Sequence, residues 1–163
     1  MGFTAAQAAR LTGCTLSQVS SWERSGLIAP GPTAGYHRQD LVALGVVAAL
    51  LDAGLGLDRI RRAVGYLVEV GDDVPRALVT DGEAVWACHD DAQVLAALRN
   101  GPVALVVAVD RIGADVDAEV RAFDAERRAF VQGLHDAEAA TAGAAPNDEA
   151  VSGRAGDASA RGS

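Results

Sequence analysis

Hydroxyl, amide and guanidinium side chains line one side of residues 15–24. Leu16, Val19 and Trp22 recur there at helical spacing, which predicts a short helix with its polar residues on the opposite side. A glutamine amide pairs with adenine, an arginine guanidinium with guanine or phosphate, and serine hydroxyls suit phosphate oxygens. The residues with this chemistry are Thr15, Ser17, Gln18, Ser20, Ser21 and Arg24. They indicate a surface for DNA, with a solvated polar face as the alternative.

A second group of polar side chains follows the segment 29–35, whose prolines and glycines predict a loop or tight wing. Tyr36 can lay its ring on a DNA backbone with its hydroxyl toward phosphate. His37 lies beside Arg38, which is the obvious cation of the wing. Two later cations that can reach flanking phosphates are Arg61 and Arg62.

Two short helices must position the first group. A threonine stands three residues before a glutamine at residues 4–7 and again at 15–18, and each pair is a capping-box pattern that begins a helix. Gly13 and Gly26 end these helices. Two short helices joined around a glycine are the signature of a helix-turn-helix. In this arrangement Gln18 has a second candidate role, because its amide can cap its own helix instead of contacting a base.

Further helices and a small β module are predicted beyond the wing. Apolar residues at helical spacing predict a third helix over 41–53 and a fourth that begins at Leu57. An Asp-Gly pair at 81–82 between apolar residues predicts a β-hairpin. A short helix at 94–98 and a buried strand at 103–109 follow.

A long amphipathic helix is predicted from Asp110 to about His135. Its apolar stripe needs a surface to cover it, so we expect this helix to form the interface of a homodimer. The alternative is that the stripe folds back on the hairpin and strand of its own module. The stripe consists of Ile112, Val116, Val120, Phe123, Phe130 and Leu134. Residues 137–163 hold only one large apolar side chain, and we expect them to be disordered.

Charge is distributed unevenly along the 163 residues. Residues 1–66 hold six arginines against four acidic residues, a balance of +2, whereas the whole chain carries −8. A mildly basic head can bind DNA even when it is attached to an acidic body, because phosphate contacts respond to the local potential.

The sequence argues against several other classes of protein. Its longest apolar stretch, residues 41–57, is interrupted by glycines and an aspartate, which excludes a membrane span there. The N-terminus lacks the features of a signal peptide, so we expect a cytoplasmic protein. The Cys, His and two Asp at 88–91 are adjacent and cannot all converge on one metal ion. Without a nucleophile–base pair or phosphate loop, we expect no enzyme activity, no metal and no cofactor.

Residues 3–67 resemble the MerR family of transcription regulators in unbroken order. The segment 3–13 is similar to the family's start, with an aromatic residue, a capping residue and an alanine-rich first helix. The segment 19–27 resembles the end of its recognition helix, where an aromatic residue precedes polar residues, glycine and leucine. Residues 36–44 are similar to the junction of the wing with the third helix, and 51–60 to the second-wing stretch.

The chain departs from the family pattern at two places. Ser20 and Ser21 stand where members commonly carry an arginine-tyrosine pair, which removes a phosphate-binding charge. The first wing is also short and almost uncharged. Residues 78–109 are similar to a small C-terminal module of some actinobacterial MerR-like proteins.

The resemblance implies an α+β fold that is mainly α, with a winged helix-turn-helix ahead of a β-hairpin and strand module and a long helix. We expect three parts: a DNA-binding domain at 1–70, a dimerisation or effector module at 71–136 and the tail. The function it implies is promoter binding as a homodimer through the second helix and wing. The alternative is an architectural or antitoxin-like DNA-binding protein whose C-terminal module binds a protein partner. A small-molecule effector on that module, lined by Trp86, Phe123 and Phe130, is a third hypothesis.

Overall fold

The computed structural model describes residues 2–31, 35–69 and 73–144. These residues are mainly helical with one small antiparallel sheet, which confirms the predicted fold class. The elements are α1 (Ala5–Thr12), α2 (Leu16–Arg24), α3 (Arg38–Asp52), α4 (Leu57–Glu69), β1 (Ala77–Thr80), β2 (Val85–Cys88), α5 (Asp91–Asn100), β3 (Leu105–Ala108) and α6 (Val109–Gly143). The chain divides into two compact units, Met1–Ala125 and Glu126–Ser163.

Both predicted capping boxes are present at the starts of α1 and α2. The Thr4 hydroxyl accepts a hydrogen bond from the Gln7 backbone N–H at 3.2 Å, and the Gln7 side-chain oxygen accepts from the Thr4 N–H at 2.9 Å. The same two bonds join Thr15 and Gln18, at 3.1 and 2.9 Å. Gly13 ends α1 in the left-handed region, at φ +69°. The local sequence thus determines where both helices begin and where the first ends.

The N-terminal segment pairs with the residue that follows the predicted wing. Phe3 and Tyr36 exchange two backbone hydrogen bonds of 2.8 Å. Gly35 lies beside this bridge at φ +69°, and an added Cβ would lie 2.6 Å from the Phe3 carbonyl oxygen, so only glycine fits there. The tip of the predicted wing, residues 32–34, lies outside the described residues.

The core of the first unit is built around α3. Seven of the fifteen residues of this helix are buried, and its neighbours include α1, α4 and β3. From α4, Ile60 and Val64 join this core, and Val19 and Trp22 join it from α2. The inward-facing residues of α3 are Leu41, Val42, Ala43, Leu44, Val46, Val47 and Leu50.

The three strands form an antiparallel sheet in the order β2-β1-β3. The central strand β1 pairs Val79 with Trp86 on one side and with Val106 on the other. The predicted hairpin is confirmed, and Asp81 stabilises its turn by accepting hydrogen bonds of 2.8 Å from the N–H groups of Ala84 and Glu83. These bonds, led by the one from Ala84, hold the pKa of Asp81 below its usual range.

The predicted long helix is confirmed but extends beyond its expected end. α6 continues past His135 to Gly143, so the helical part of the expected tail, 137–143, is not disordered. Alanine is the strongest helix former, and this stretch is rich in it, which accounts for the extension. The remainder of the predicted tail, 145–163, lies outside the described residues.

Two-thirds of the apolar stripe on α6 packs on the chain's own core. Val116 is buried, while Ile112 and Val120 are partly buried against the same cluster. Phe123 meets the Phe3 ring edge-to-face, with ring centroids 6.0 Å apart. These four residues were expected at a dimer interface. They are covered mainly by the helical core and the N-terminal segment, because α6 returns across α3 directly after β3.

A close approach between helices fixes this packing. A Cβ added at Gly45 of α3 would lie 2.6 Å from the Cγ2 of Ile112 on α6. A methyl group on a β-branched side chain cannot swing away from such a contact at low cost. Gly45 therefore allows the two helices to touch.

Gly45→Ala and Gly65→Ala form a matched pair that tests this approach. Each change removes a glycine from a helix interior, which alone stabilises by up to about 1 kcal/mol. Nothing lies within 4 Å of a Cβ at Gly65 of α4, so we expect the full gain there. At Gly45 the overlap with Ile112 opposes the gain, and overpacking costs about 1–3 kcal/mol. We expect Gly45→Ala to be less stable than Gly65→Ala by at least about 1 kcal/mol in urea unfolding. Equal stabilisation by the two substitutions would contradict the close approach of Gly45 to Ile112.

Candidate DNA-binding surface

The exposed side of α2 carries the first group of predicted site residues together. Ser17, Gln18, Ser21 and Arg24 are exposed and Ser20 is partly buried. The apolar side of the helix is anchored by Val19 and Trp22, as predicted, although Leu16 in the first turn is half exposed. The Arg24 Nε donates to the Ser20 carbonyl at 3.2 Å, which folds this guanidinium back along the helix. α2 therefore presents hydroxyl, amide and guanidinium groups on one accessible surface.

Gln18 is engaged in the cap at the start of α2. Its side-chain oxygen accepts from both the N–H and the hydroxyl of Thr15, at 2.9 and 3.2 Å. Bidentate pairing with adenine needs both the oxygen and the amide N–H of glutamine. With its oxygen held by Thr15, Gln18 can offer its amide N–H as a donor without opening the cap.

Tyr36 lies in the core, where sequence analysis predicted an exposed contact. It is 3% exposed, and its hydroxyl donates to the Glu23 carboxylate at 2.8 Å. Burial first, and then the hydrogen bond and charge of Glu23, raise the pKa of the Tyr36 phenol. A ring buried in this way cannot lie on a DNA backbone. Tyr36 instead joins the segment after the wing to the end of α2, because Glu23 belongs to that helix.

Arg38 forms a two-pronged ion pair with α6. Its Nε and Nη2 donate to the two carboxylate oxygens of Asp117, at 2.6 and 2.8 Å. The hydrogen bond to Asp117 raises the pKa of Arg38, and the same bond lowers the pKa of Asp117. Both side chains remain accessible, at 54% and 38%. The predicted wing cation is therefore partly neutralised within the chain.

The remaining predicted residues occupy three separate positions. His37 caps α3, where its backbone N–H donates to the Asp40 carboxylate at 2.8 Å. Arg61 of α4 donates from Nη1 to the carbonyl of Ser25, directly after α2, at 3.1 Å. Arg62 is exposed on another side of α4, where it lines a cavity beside the hairpin.

The adjacent residues 88–91 have individual structural roles. Cys88 is buried, and that burial raises the pKa of its thiol. Asp90 caps α5 by accepting from the Gln93 N–H at 2.8 Å, and the Nδ1 of His89 lies 3.6 Å from an oxygen of Asp73. Among the described residues, no three histidine, cysteine or acidic side chains are grouped as metal ligands. The described helices also include none long and apolar enough to cross a membrane.

Residues 3–67 match the family model described as MerR HTH family regulatory protein. This similarity to MerR-family regulators covers about two-fifths of the chain. Three curated relatives, each described as an uncharacterized HTH-type transcriptional regulator, are similar over nearly its whole length. They come from Mycobacterium bovis and two strains of Mycobacterium tuberculosis, and each is 29% identical over 164 residues, or 94% of this chain and 69% of the relative.

One solved structure in the comparison is also a MerR-family transcriptional regulator, from Bacillus thuringiensis. It shares 15% identity with this chain, with a TM-score of 0.38 over 83% of this chain and 99% of that one.

Three residues that the sequence patterns did not indicate hold this surface together. Glu23, Ser25 and Asp117 bind Tyr36, Arg61 and Arg38 respectively. Glu23 is polar and lies on the predicted recognition helix, so its type and place could have identified it as a candidate. Ser25 contributes a backbone carbonyl, and Asp117 is 79 residues from Arg38, so neither carries a local signal.

Asp117→Asn tests the ion pair through the pH dependence of stability. The folded-state pKa of Asp117 is lowered, so its charge stabilises the fold above its unfolded-state pKa, near 3.9. The contribution is lost as the pH falls through the lower folded-state pKa. Because both groups are accessible, we expect Asp117→Asn to cost at most about 1 kcal/mol at pH 7.

Urea unfolding at pH 7 and near pH 2 measures this difference. The difference in the free energy of unfolding between wild type and Asp117→Asn should disappear near pH 2. Asp115→Asn, at an exposed acid on the same helix, is the control and should show no comparable gap. If the difference in the free energy of unfolding is unchanged near pH 2, the charge of Asp117 is not its source.

Proposed function

We propose that this chain is a MerR-type transcription regulator, which acts in the cytoplasm by binding promoter DNA as a homodimer through α2 and the wing. The observation that carries the proposal is the exposed polar side of α2, held by a capping box at its start and by Val19 and Trp22 behind it. In helix-turn-helix proteins the N-terminal part of the second helix enters the major groove. Ser17 and Gln18 lie in that part of α2.

The contacts on α2 divide into base and phosphate contacts. Gln18 offers its amide N–H to a base acceptor, while its oxygen stays in the cap. Ser17 and Ser21 donate to phosphate oxygens. Arg24 near the C-terminal end reaches phosphate or guanine once it leaves the Ser20 carbonyl, a single exposed hydrogen bond.

The wing and α4 add further cations to this surface. Arg38 keeps more than half of its side chain accessible, so it can contact phosphate while it is paired with Asp117. Arg61 stabilises the end of α2 through its hydrogen bond to the Ser25 carbonyl. This bond brings Arg61 close to the side of the domain that we propose to bind DNA. Tyr36 contributes indirectly, because its hydroxyl binds Glu23 in the last turn of α2.

The proposed dimer interface is narrower than the stripe predicted from sequence. Four stripe residues are packed within the first unit, which leaves Phe130 and Leu134 in the second. Phe130 is 68% exposed and Leu134 50%, and Val131 between them is also exposed. Phe130 and Leu134 are four residues apart, so they lie on the same side of α6. A long helix after the DNA-binding domain is the element through which MerR-like proteins pair.

Arg24→Ala tests the DNA contact. We expect several-fold weaker binding to the protein's own promoter fragment and a salt-dependence slope smaller by about one. Arg99→Ala is the matched control, because Arg99 is an exposed arginine on α5 outside the helix-turn-helix. Electrophoretic titrations over a range of salt concentrations measure both quantities. Wild-type affinity in Arg24→Ala would refute the contact, and equal affinity for promoter and unrelated DNA would favour the architectural alternative.

Phe130→Glu tests the dimer. A glutamate buried between two copies would be an unpaired charge, so we expect light scattering to report a monomer at micromolar concentration. Ala129→Glu adds the same charge at the neighbouring exposed position and should leave the dimer intact. We also expect Phe130→Glu to weaken promoter binding, since each half-site contact then acts alone. A wild-type chain that is monomeric and still binds tightly would refute the dimer.

A further inference from the structure

A cavity of about 520 Å³ lies between α4 and the β-hairpin. Its volume is within the range of small-molecule sites in proteins, about 300–1,000 Å³. The α4 wall carries Arg59, Arg62 and Tyr66, and the opposite wall includes Trp86 of the edge strand β2. Small side chains such as Ala63 and Ala84 lie between these walls and leave the space open.

The cavity is rich in cationic and donor groups. Arg59 and Arg62 are three residues apart on α4, and Tyr66 is one turn beyond Arg62, so all three lie on one side of the helix. Arg62 makes no ion pair or hydrogen bond with any described residue, and the same holds for the Tyr66 hydroxyl and the Trp86 indole N–H. The acidic lining residue is Glu83, which is 86% exposed and 3.9 Å from the Arg59 guanidinium.

Aromatic surface is the second property of the cavity. Tyr66 and Trp86 are large apolar side chains that remain 39% and 46% exposed. Planar rings stack against planar ligands, and a guanidinium binds carboxylate or phosphate oxygens with two parallel hydrogen bonds. Paired cations beside two exposed rings therefore favour a ligand that has both an anionic group and a flat apolar part.

We propose that this cavity binds a small aromatic carboxylate or phosphate. Arg62 holds the anionic group with Arg59 beside it, while the ring of the ligand lies against Tyr66 and Trp86. The site differs from the effector pocket predicted from sequence. Trp86 lines it, but Phe123 packs on Phe3 and Phe130 is exposed in the second unit, so neither contributes.

α4 connects the cavity to the proposed DNA-binding surface. Arg61, between the two cavity arginines in sequence, donates to the carbonyl of Ser25 at the end of α2. A ligand that shifts α4 therefore alters the support of α2. This consequence rests on the proposed function, whereas ligand binding itself does not.

Isothermal titration calorimetry on the full chain tests the cavity with defined probes. We expect 2-naphthoate and 2-naphthyl phosphate to bind with one-to-one stoichiometry. The neutral isostere 2-naphthamide should bind at least about tenfold more weakly, because it lacks the charge that the guanidinium recognises. No heat from either anion at millimolar concentration, or equal affinity for the amide, would overturn the proposal.

Matched variants locate the binding site. Arg62→Gln should weaken both anions by about tenfold or more, and Arg59→Gln combined with it should abolish binding. Arg99→Gln, at an exposed arginine on α5, should leave the affinity unchanged, and circular dichroism should show all variants folded. Unchanged naphthoate affinity in Arg62→Gln would overturn the assignment, and loss of DNA binding alone in that variant would assign Arg62 to phosphate contacts instead.

A separate DNA titration with and without 2-naphthoate tests the coupling. A shift in promoter affinity that disappears in Arg62→Gln would support the route through α4. If the chain binds both naphthoate and DNA but its promoter affinity does not change, the coupling is refuted. The assignment of the cavity as a ligand-binding site would then still stand. A chain that binds naphthoate but no DNA would refute the proposed function only.

Discussion

Burial of α3 is the interaction on which the rest of the first unit depends. Leu41, Leu44 and Leu50 are fully buried, and a helix that is apolar around most of its circumference must be covered on most sides. The chain meets this requirement with α1, α4 and β3, and with α6 where Ile112 approaches Gly45. Each covering element packs its apolar side towards α3 and leaves its polar side exposed. The exposed side of α2 is a consequence of this arrangement, since α2 packs on α1 through Val19 and Trp22.

Three polar contacts then orient the surface that packing alone leaves loosely defined. Tyr36 binds Glu23, Arg61 binds the Ser25 carbonyl, and Arg38 binds Asp117. The phenol of Tyr36 is buried, so loss of Glu23 leaves an unsatisfied hydroxyl in the core, a cost of about 1–3 kcal/mol. The other two are accessible and contribute less to stability. Their value is geometric, because they connect the end of α2 and the start of α3 to helices that come later in the chain.

Local signals determined what could be predicted from sequence. Capping boxes at Thr4 and Thr15 and the turn at Asp81 involve residues only a few positions apart, so the sequence shows both partners together. The periodicity of α6 likewise shows that an apolar stripe exists, but not which surface covers it. Tyr36 was misjudged for the same reason. It follows a loop and precedes a cation, which favours exposure, and its burial depends on Phe3 pairing with it across 33 residues.

The distribution of charge is consistent with the proposal that two copies bind DNA together. The first 66 residues carry only +2, and Arg38 shares its charge with Asp117 from the acidic remainder of the chain. Affinity for DNA rises with the number of phosphates that cations neutralise, so one such domain has little nonspecific attraction to the duplex. Two linked domains make the second contact intramolecular, at an effective concentration near millimolar for a short connection. A weakly basic domain therefore gains most of its affinity from correctly spaced half-sites. In the proposed dimer the serines at 20–21 and the short wing would favour selectivity, because binding to unrelated DNA would fall further than binding to a matched pair of half-sites.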